Sequence, residues 1–491
     1  MAEKAEKEVE KKAVEEVEKK EEVSEAVKEE KPKKVKISKV FKGLMTAIML
    51  VVILNILSAL YGRRAEARPQ PQAMKLTWDV DYAYVSEESK KFYRNPVNLV
   101  MKGSMTTPRV LWVVEIGRES PSTDLYVGDV DGDGMSEVVS NHGNNLVIIK
   151  NGQVSSVQLP YSPAYYYIDV AGLYDVDGDG RKEILLMLHA EYSKIGFAIV
   201  DHQGNIIVEK TNLKSGIRGV YDVVLTKVGD AQAVIFLHDS GVSAYTLDGQ
   251  AIYDVSKPIS AYEFTRMVIG DINGDGLDEL VFPGGSGVYA LRLSDGQQLF
   301  YKFLGYDIVA VSLGDVDGDG VPEIVTGGIM DDTGKEEWVV LKGNTIYWRA
   351  ESMGGYTQEL PAIIEDVDGD GDKEVITYES TYLVCRSNTG EVKWYIELGD
   401  WVQRSACAGD LNNDGKLEIV AMTYDTFFIV RGDGVVLYSD VIEGGNGYYS
   451  LDGTSPVIDD VDGDGRLELV IDYEVFDSRT GAISYKAVAY D

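Results

Sequence analysis

The chain has 491 residues, 44% of them hydrophobic, and a formal net charge of −34. It can bury a sizeable core, in two to four ordinary domains or in one large repeat domain. So acidic a chain excludes nucleic acid as a partner and favours divalent cations or basic surfaces.

Residues 1–39 hold 12 Lys and 12 acidic residues, so the net negative charge belongs to the rest of the chain. Within this Glu/Lys-rich segment Ala5, Val9, Ala13 and Val17 recur four apart, a thin helical stripe flanked by i,i+4 charge pairs. We read residues 1–42 as a charged, solvated, partly helical tail. Leu44 to Tyr61 is an apolar run broken only by Thr46, Asn55 and Ser58. With Gly43 and Gly62 it gives a helix of about 27–30 Å, enough to cross a bilayer core. Lys31, Lys33, Lys34, Lys36, Lys39 and Lys42 precede it, and only Arg63, Arg64 and Arg68 follow closely. The positive-inside rule therefore predicts a single-pass anchor at 43–62, the N-terminus in the cytoplasm and the remainder outside. Cleavage after Ala65-Glu66-Ala67 and a pilin-type signal at Lys42-Gly43 are the competing readings. Residues 63–109 read as a juxtamembrane linker.

From residue 110 to 491 one pattern returns: Asp-x-Asp-x-Asp-Gly-x-x-Glu, followed by β-branched residues. Its first aspartates are Asp129, Asp175, Asp271, Asp315, Asp366, Asp410 and Asp460. The interval from Asp175 to Asp271 is a double step that hides an eighth copy without acids. Four strands are predicted there, at Val220–Lys227, Ala231–His238, Gly241–Thr246 and Ala251–Val255. The fourth copy divides likewise into Arg266–Gly270, Asp278–Phe282, Gly287–Leu293 and Gln297–Phe303. Four short strands in each copy of some 40–50 residues are the arithmetic of a β-propeller. The predicted fold is all-β with eight blades, seven being the runner-up. Val110–Gly117 and Ala482–Tyr490 compete for the outer strand of the closing blade.

The acidic loop suits calcium, which takes six to eight oxygens at about 2.3–2.6 Å. Carboxylates at positions 1, 3 and 5 converge, glycine at position 6 permits the turn, position 7 offers its carbonyl and position 9 closes the cage. The first copy supplies Asp129, Asp131, Asp133, the carbonyl of Met135 and Glu137. The second supplies Asp175, Asp177, Asp179, Arg181 and Glu183, and the fourth Asp271, Asn273, Asp275, Leu277 and Glu279. Asp315, Asp317, Asp319, Val321 and Glu323 follow, then Asp366, Asp368, Asp370, Asp372 and Glu374. The last two sets are Asp410, Asn412, Asp414, Lys416 and Glu418, and Asp460, Asp462, Asp464, Arg466 and Glu468. Up to seven calcium ions are thus expected, bound more weakly where Asn273 and Asn412 replace a carboxylate. The alternative is a set of Asx turns that need no metal. An EF-hand is excluded, because position 12 is Ser140, Leu186, Phe282 or Thr326 rather than Glu. Hard oxygen donors without His or Cys disfavour zinc.

With this loop repeated, residues 110–491 resemble the FG-GAP/VCBS repeat family, the integrin-α-type propeller. Tyr382 to Trp394 is more loosely similar to quinoprotein-type propeller repeats. The resemblance implies an extracellular adhesion or partner-binding module, with a protein or glycan as ligand. A cell-envelope scaffold and a calcium-dependent polysaccharide lyase or hydrolase are the alternatives. A non-enzyme is expected: His142, His189, His202 and His238 have no triad or metal spacing, and Arg218, Arg266 and Arg404 are thin as a catalytic cluster. In an up-and-down blade the acidic loops lie on one face and the connections between blades on the other. Those connections carry Tyr166, Tyr262, Tyr306 and Trp401 nine residues before an aspartate, and Tyr356 ten before. These rings either wedge between blades or form a ligand face. Arg431-Gly432-Asp433 reads as a hairpin turn. Cys385 and Cys407, in different blades, are too few for a disulfide framework and read as buried free thiols, a single bridge being the alternative.

Overall fold

The computed structural model describes residues 108–491, apart from 118–124, 162–164, 191–192, 258, 260–264, 306–307, 330–335, 354–359, 403–404, 425, 442–454 and 478–481. The tail, the predicted membrane helix and nearly all of the linker lie outside the described residues. Among the described residues no helix is long and apolar enough to cross a membrane.

The described residues form eight four-stranded antiparallel sheets, each running in sequence order from its first strand to its fourth except the last. These are the blades. Blade 1 spans Tyr126 to Gln158, blade 2 Tyr165 to Ser215, blade 3 Val220 to Ser256 and blade 4 Val268 to Phe303. Blade 5 spans Ile308 to Glu351, blade 6 Ile363 to Glu397 and blade 7 Cys407 to Val441. Blade 3 is the copy without acids, and its strands match the expected ones to within a residue. Blade 8 joins the two ends of the propeller. Val457–Asp459, Glu468–Asp477 and Ala482–Tyr490 are its first three strands, and Val110–Gly117 is its fourth. Both competing segments therefore belong to the closing blade, side by side, with Val113 opposite Val488. Arg109 and Asp491 fasten the seam through reciprocal backbone hydrogen bonds of 2.7 and 2.9 Å.

The second strands are the most buried, because other strands flank both edges and neighbouring blades cover both faces. Glu137–His142 and Glu374–Glu379 are buried throughout, whereas the fourth strand Gln153–Gln158 is almost wholly exposed. The core lies between blades. One cluster unites Ile235 and Leu237 of blade 3 with Leu280, Phe282 and Leu291 of blade 4. Another unites Val470 and Tyr485 of blade 8 with Val138 and Val147 of blade 1, so the ring is closed by apolar packing as well as by pairing.

Aromatic side chains of the fourth strands lock successive blades. Trp348 donates from Nε1 to the Asn388 carbonyl (3.0 Å), and Trp394 to the Gly432 carbonyl (2.8 Å), each in the turn between third and fourth strands of the next blade. Trp112 packs likewise against Gly152, and Tyr253 against Gly296. The tripeptide Arg431-Gly432-Asp433 is such a turn, as expected. Its Arg and Asp pair internally at 2.7 and 2.9 Å, and Gly432 lies against the backbone of Val367. Cys385 and Cys407 are free thiols; Cys385 is buried and Cys407 only partly so.

Candidate metal centres

Each acidic loop connects the first and second strands of its blade. In every one of the seven, the glycine at position 6 has a positive φ, from 82° at Gly276 to 95° at Gly371. Position 4 is left-handed in all seven loops too. Asn413 holds it in blade 7 (φ 56°), a conformation Asn tolerates better than most residues.

The aspartate at position 1 shapes the turn. Asp129 Oδ1 accepts from the Gly132 N–H (2.6 Å) and Oδ2 from the Gly134 N–H (2.8 Å). Asp271 and Asp460 make the same pair of bonds. The position 5 carboxylate accepts from the position 7 N–H, at 2.9 Å from Leu277 to Asp275 and from Arg466 to Asp464. The position 9 glutamate turns back to the N–H of position 2 in all seven loops. Examples are Val176 to Glu183 (2.9 Å) and Val316 to Glu323 (2.8 Å). Because position 2 is apolar and buried at Val130, Ile272, Val316, Val367 and Val461, that bond ties the loop to the core.

Adjacent loops also touch one another. The position 7 side chain leans on the position 4 glycine of the preceding loop: Arg181 on Gly132, Val321 on Gly274, Lys416 on Gly369, and Met135 on Gly463 across the seam. The loops thus form a belt along one end of the blades.

Carboxylates converge within the loops. Asp129, Asp131 and Glu137 bring oxygens within 4.8 Å of one another, as do Asp175, Asp177 and Glu183. The same holds for Asp315, Asp317 and Glu323, for Asp366, Asp368 and Glu374, and for Asp460, Asp462 and Asp464. Two oxygens on opposite sides of one calcium ion lie about 4.8 Å apart, so the spacing admits a shared hard cation. Burial pushes the carboxyls of Glu279, Glu418 and Glu468 up to about 7. Glu468 Oε1, Asp131 Oδ1 and Asp315 Oδ1 are buried without a hydrogen-bond partner among the described residues. An orphaned buried oxygen is costly unless a ligand satisfies it. The donor set therefore fits a hard divalent cation.

The loops differ in what already faces those oxygens. In blade 1 the Lys150 ammonium pairs with Asp131, Asp133 (2.7 Å) and Glu137 (3.2 Å). In blade 5 Lys342 pairs with Asp317, Asp319 (2.6 Å) and Glu323 (3.6 Å). In blade 6 Lys393 pairs with Asp368 (2.6 Å), Asp370 (2.9 Å) and Glu374 (2.8 Å). Hydrogen bonds that it donates to the carboxylates of Asp317 and Asp319 hold the Lys342 ammonium well above its ordinary range. In blades 4 and 7, Asn273 and Asn412 reach Glu279 (2.9 Å) and Glu418 (2.8 Å) through their side-chain nitrogens. The loops opened by Asp175 and Asp460 have neither device. The lysines escape a search of the loop motif, because Lys150 and Lys342 join it only through register, each next to the residue paired with the one after the glutamate.

Of the expected aromatic face, Tyr262, Tyr306 and Tyr356 lie outside the described residues, and Tyr166 is placed only as part of a strand. Trp401 lies on the connection between blades 6 and 7 and is 43% exposed. His142, His189 and His238 lie in second strands and His202 in a turn, so no two share a site by sequence spacing or strand pairing.

Residues 271–326 match the FG-GAP-like repeat family, which bears out the resemblance read from the loops for that part of the chain. No curated protein matches the chain in sequence. Among solved structures it is similar to the Vibrio cholerae biofilm matrix protein Bap1, with a TM-score of 0.52 and 14% identity over 78% of this chain and 90% of that one. The Dos1 propeller is similar with a TM-score of 0.51 and 10% identity, over 78% of this chain and 95% of that one. At such identities the likeness concerns the fold.

Proposed function

We propose that this propeller with an FG-GAP-like repeat is a membrane-anchored, calcium-binding module that takes an extracellular protein or glycan ligand on the end opposite its acidic loops. Residues 1–42 are its cytoplasmic tail, 43–62 its anchor, 63–109 its linker and 110–491 the binding domain. Calcium takes up to seven loop sites through the carboxylates at positions 1, 3, 5 and 9 and the carbonyl at position 7. It acts as a clamp and does no chemistry; the protein is not an enzyme.

The observation that carries the ligand face is Trp401. A tryptophan 43% exposed on a connection between blades leaves a large apolar surface in water. Such rings are enriched where sugars or partner side chains are seated. Trp401→Ala should weaken retention of the ligand found in a glycan and protein screen of the full chain by at least tenfold, with unchanged melting temperature. Unaltered ligand binding, or a variant that fails to fold, contradicts the assignment.

The anchor rests on the apolar run Leu44 to Tyr61 and the six lysines before it. Protease added to intact cells should remove the propeller and spare an epitope fused to the N-terminus. A propeller protected until the cells are lysed contradicts that orientation.

A further inference from the structure

We propose that Lys150, Lys342 and Lys393 are built-in cations that stand in for calcium in three of the seven loops, so that calcium is taken up at the loops opened by Asp175, Asp271, Asp410 and Asp460. This rests on the calcium reading and deepens it.

The three ammonium groups occupy equivalent places. Each faces the carboxylates of positions 3, 5 and 9 of its own loop, at 2.7–3.2 Å for Asp133 and Glu137 in blade 1 and 2.6–2.9 Å for all three in blade 6. A calcium ion held by the same oxygens at about 2.4 Å would lie where the nitrogen is. The two cannot coexist, and bringing calcium in breaks three ion pairs in which the position 9 carboxylate is buried.

The lysines arrive by two routes. Lys150 and Lys342 end the third strands of blades 1 and 5, whereas Lys393 sits on the fourth strand of blade 6. Lys393 occupies a bulge, between Val392 opposite Arg386 and Trp394 opposite Cys385. The fourth strands of other blades bulge at the same point, where they carry Ile207, Ile252, Leu299, Tyr347 and Leu437. In a blade whose third strand is followed by Ser387 rather than lysine, an ammonium on this bulge brings the same charge to the loop by another route.

The other loops lack this cation. Where blades 1 and 5 have lysine, blade 2 has Asp201, which caps its own turn through Gln203 and Asn205. Arg292 of blade 4 and Arg431 of blade 7 pair instead with Asp295 (2.9 Å) and Asp433 (2.7 Å). Blade 8 has Asp491, held by Arg109 at 2.8 Å. Near the Asp175 loop, Arg181 comes no closer to Asp179 than 3.8 Å. The buried Glu468 Oε1 has neither a hydrogen-bond partner nor an ammonium facing it among the described residues, whereas the corresponding oxygens of Glu137 and Glu323 lie 3.2 and 3.6 Å from their lysines.

Calcium chloride titrated into the chelator-treated full chain, with bound calcium counted by equilibrium dialysis, tests this. The wild type should bind four ions at least tenfold more tightly than any others. Lys150→Met, Lys342→Met and Lys393→Met, purified with calcium present, should each add one tight site, and Asp462→Ala, which removes the position 3 oxygen altogether, should remove one. Seven equally tight sites in the wild type, or lysine variants with an unchanged count, overturn the proposal and leave the calcium reading intact. No binding by any of these proteins overturns the calcium reading, and the present proposal with it.

Discussion

Gly432→Ala is expected to cost about 3–5 kcal/mol, at the upper end of what one buried methyl group does. A Cβ at Gly432 would stand 1.6 Å from the carbonyl oxygen of Val367 and 2.3 Å from its carbon. Both are backbone atoms, so no rotamer change relieves the overlap. The two blades must part at a place where three interactions meet. The Gly432 carbonyl accepts from Trp394 Nε1, Val367 is the buried position 2 residue of the blade 6 loop, and its N–H is held by Glu374 at 3.1 Å. Gly343, in the corresponding turn of blade 5, has a φ of 54° and nothing within 4 Å of its would-be Cβ. Gly343→Ala should cost only the left-handed backbone term, about 1–2 kcal/mol. Urea denaturation of the two variants beside the wild type measures the difference. Equal losses would mean that the blade 6–blade 7 contact is looser than described. The Arg-Gly-Asp sequence is accordingly a structural turn whose glycine faces inward.

The fold was largely legible in the sequence because the acidic loop fixes phase. Its recurrence marks the start of each second strand, and the β-branched run that follows is the buried strand, so even blade 3 was found by interpolation. The closing blade resisted because two segments were set against each other for one place, whereas the ring needs both, as third and fourth strands. The loop itself was read as either an Asx turn or a cation cage; the turn bonds are present, and they leave room for the cage. Asp129 and its counterparts accept backbone N–H groups at the turn, yet a carboxylate oxygen has a second lone pair for a cation. What the loop motif did not contain was the lysine that faces it. Lys150 and Lys342 come from the end of the third strand and Lys393 from a bulge in the fourth, so only strand register brings them to the site. The aromatic spacing before each aspartate was plain in sequence, but spacing alone did not separate a wedge from a surface.

Removing calcium should have the other large effect. On the proposed reading the ion binds the folded loop alone, so an ion at a hundred times its dissociation constant adds about 2.7 kcal/mol, and four such loops roughly 10 kcal/mol. The position 7 side chains link successive loops, and the position 9 glutamates tie them to the buried second strands, so the gain is shared along the ring. Without the ion, buried glutamates such as Glu468 keep an oxygen with no partner among the described residues. For a domain of this size the unfolding entropy is near 0.8 kcal/mol/K, which converts that gain into a shift of roughly 10 °C or more. The decisive measurement is the melting temperature of the full chain in excess calcium, after chelation with EDTA, and after calcium is restored. The account predicts a fall of roughly 10 °C or more on chelation and full recovery when calcium, but not an equal ionic strength of sodium, is returned. Superimposable melting curves in calcium and in EDTA would contradict it.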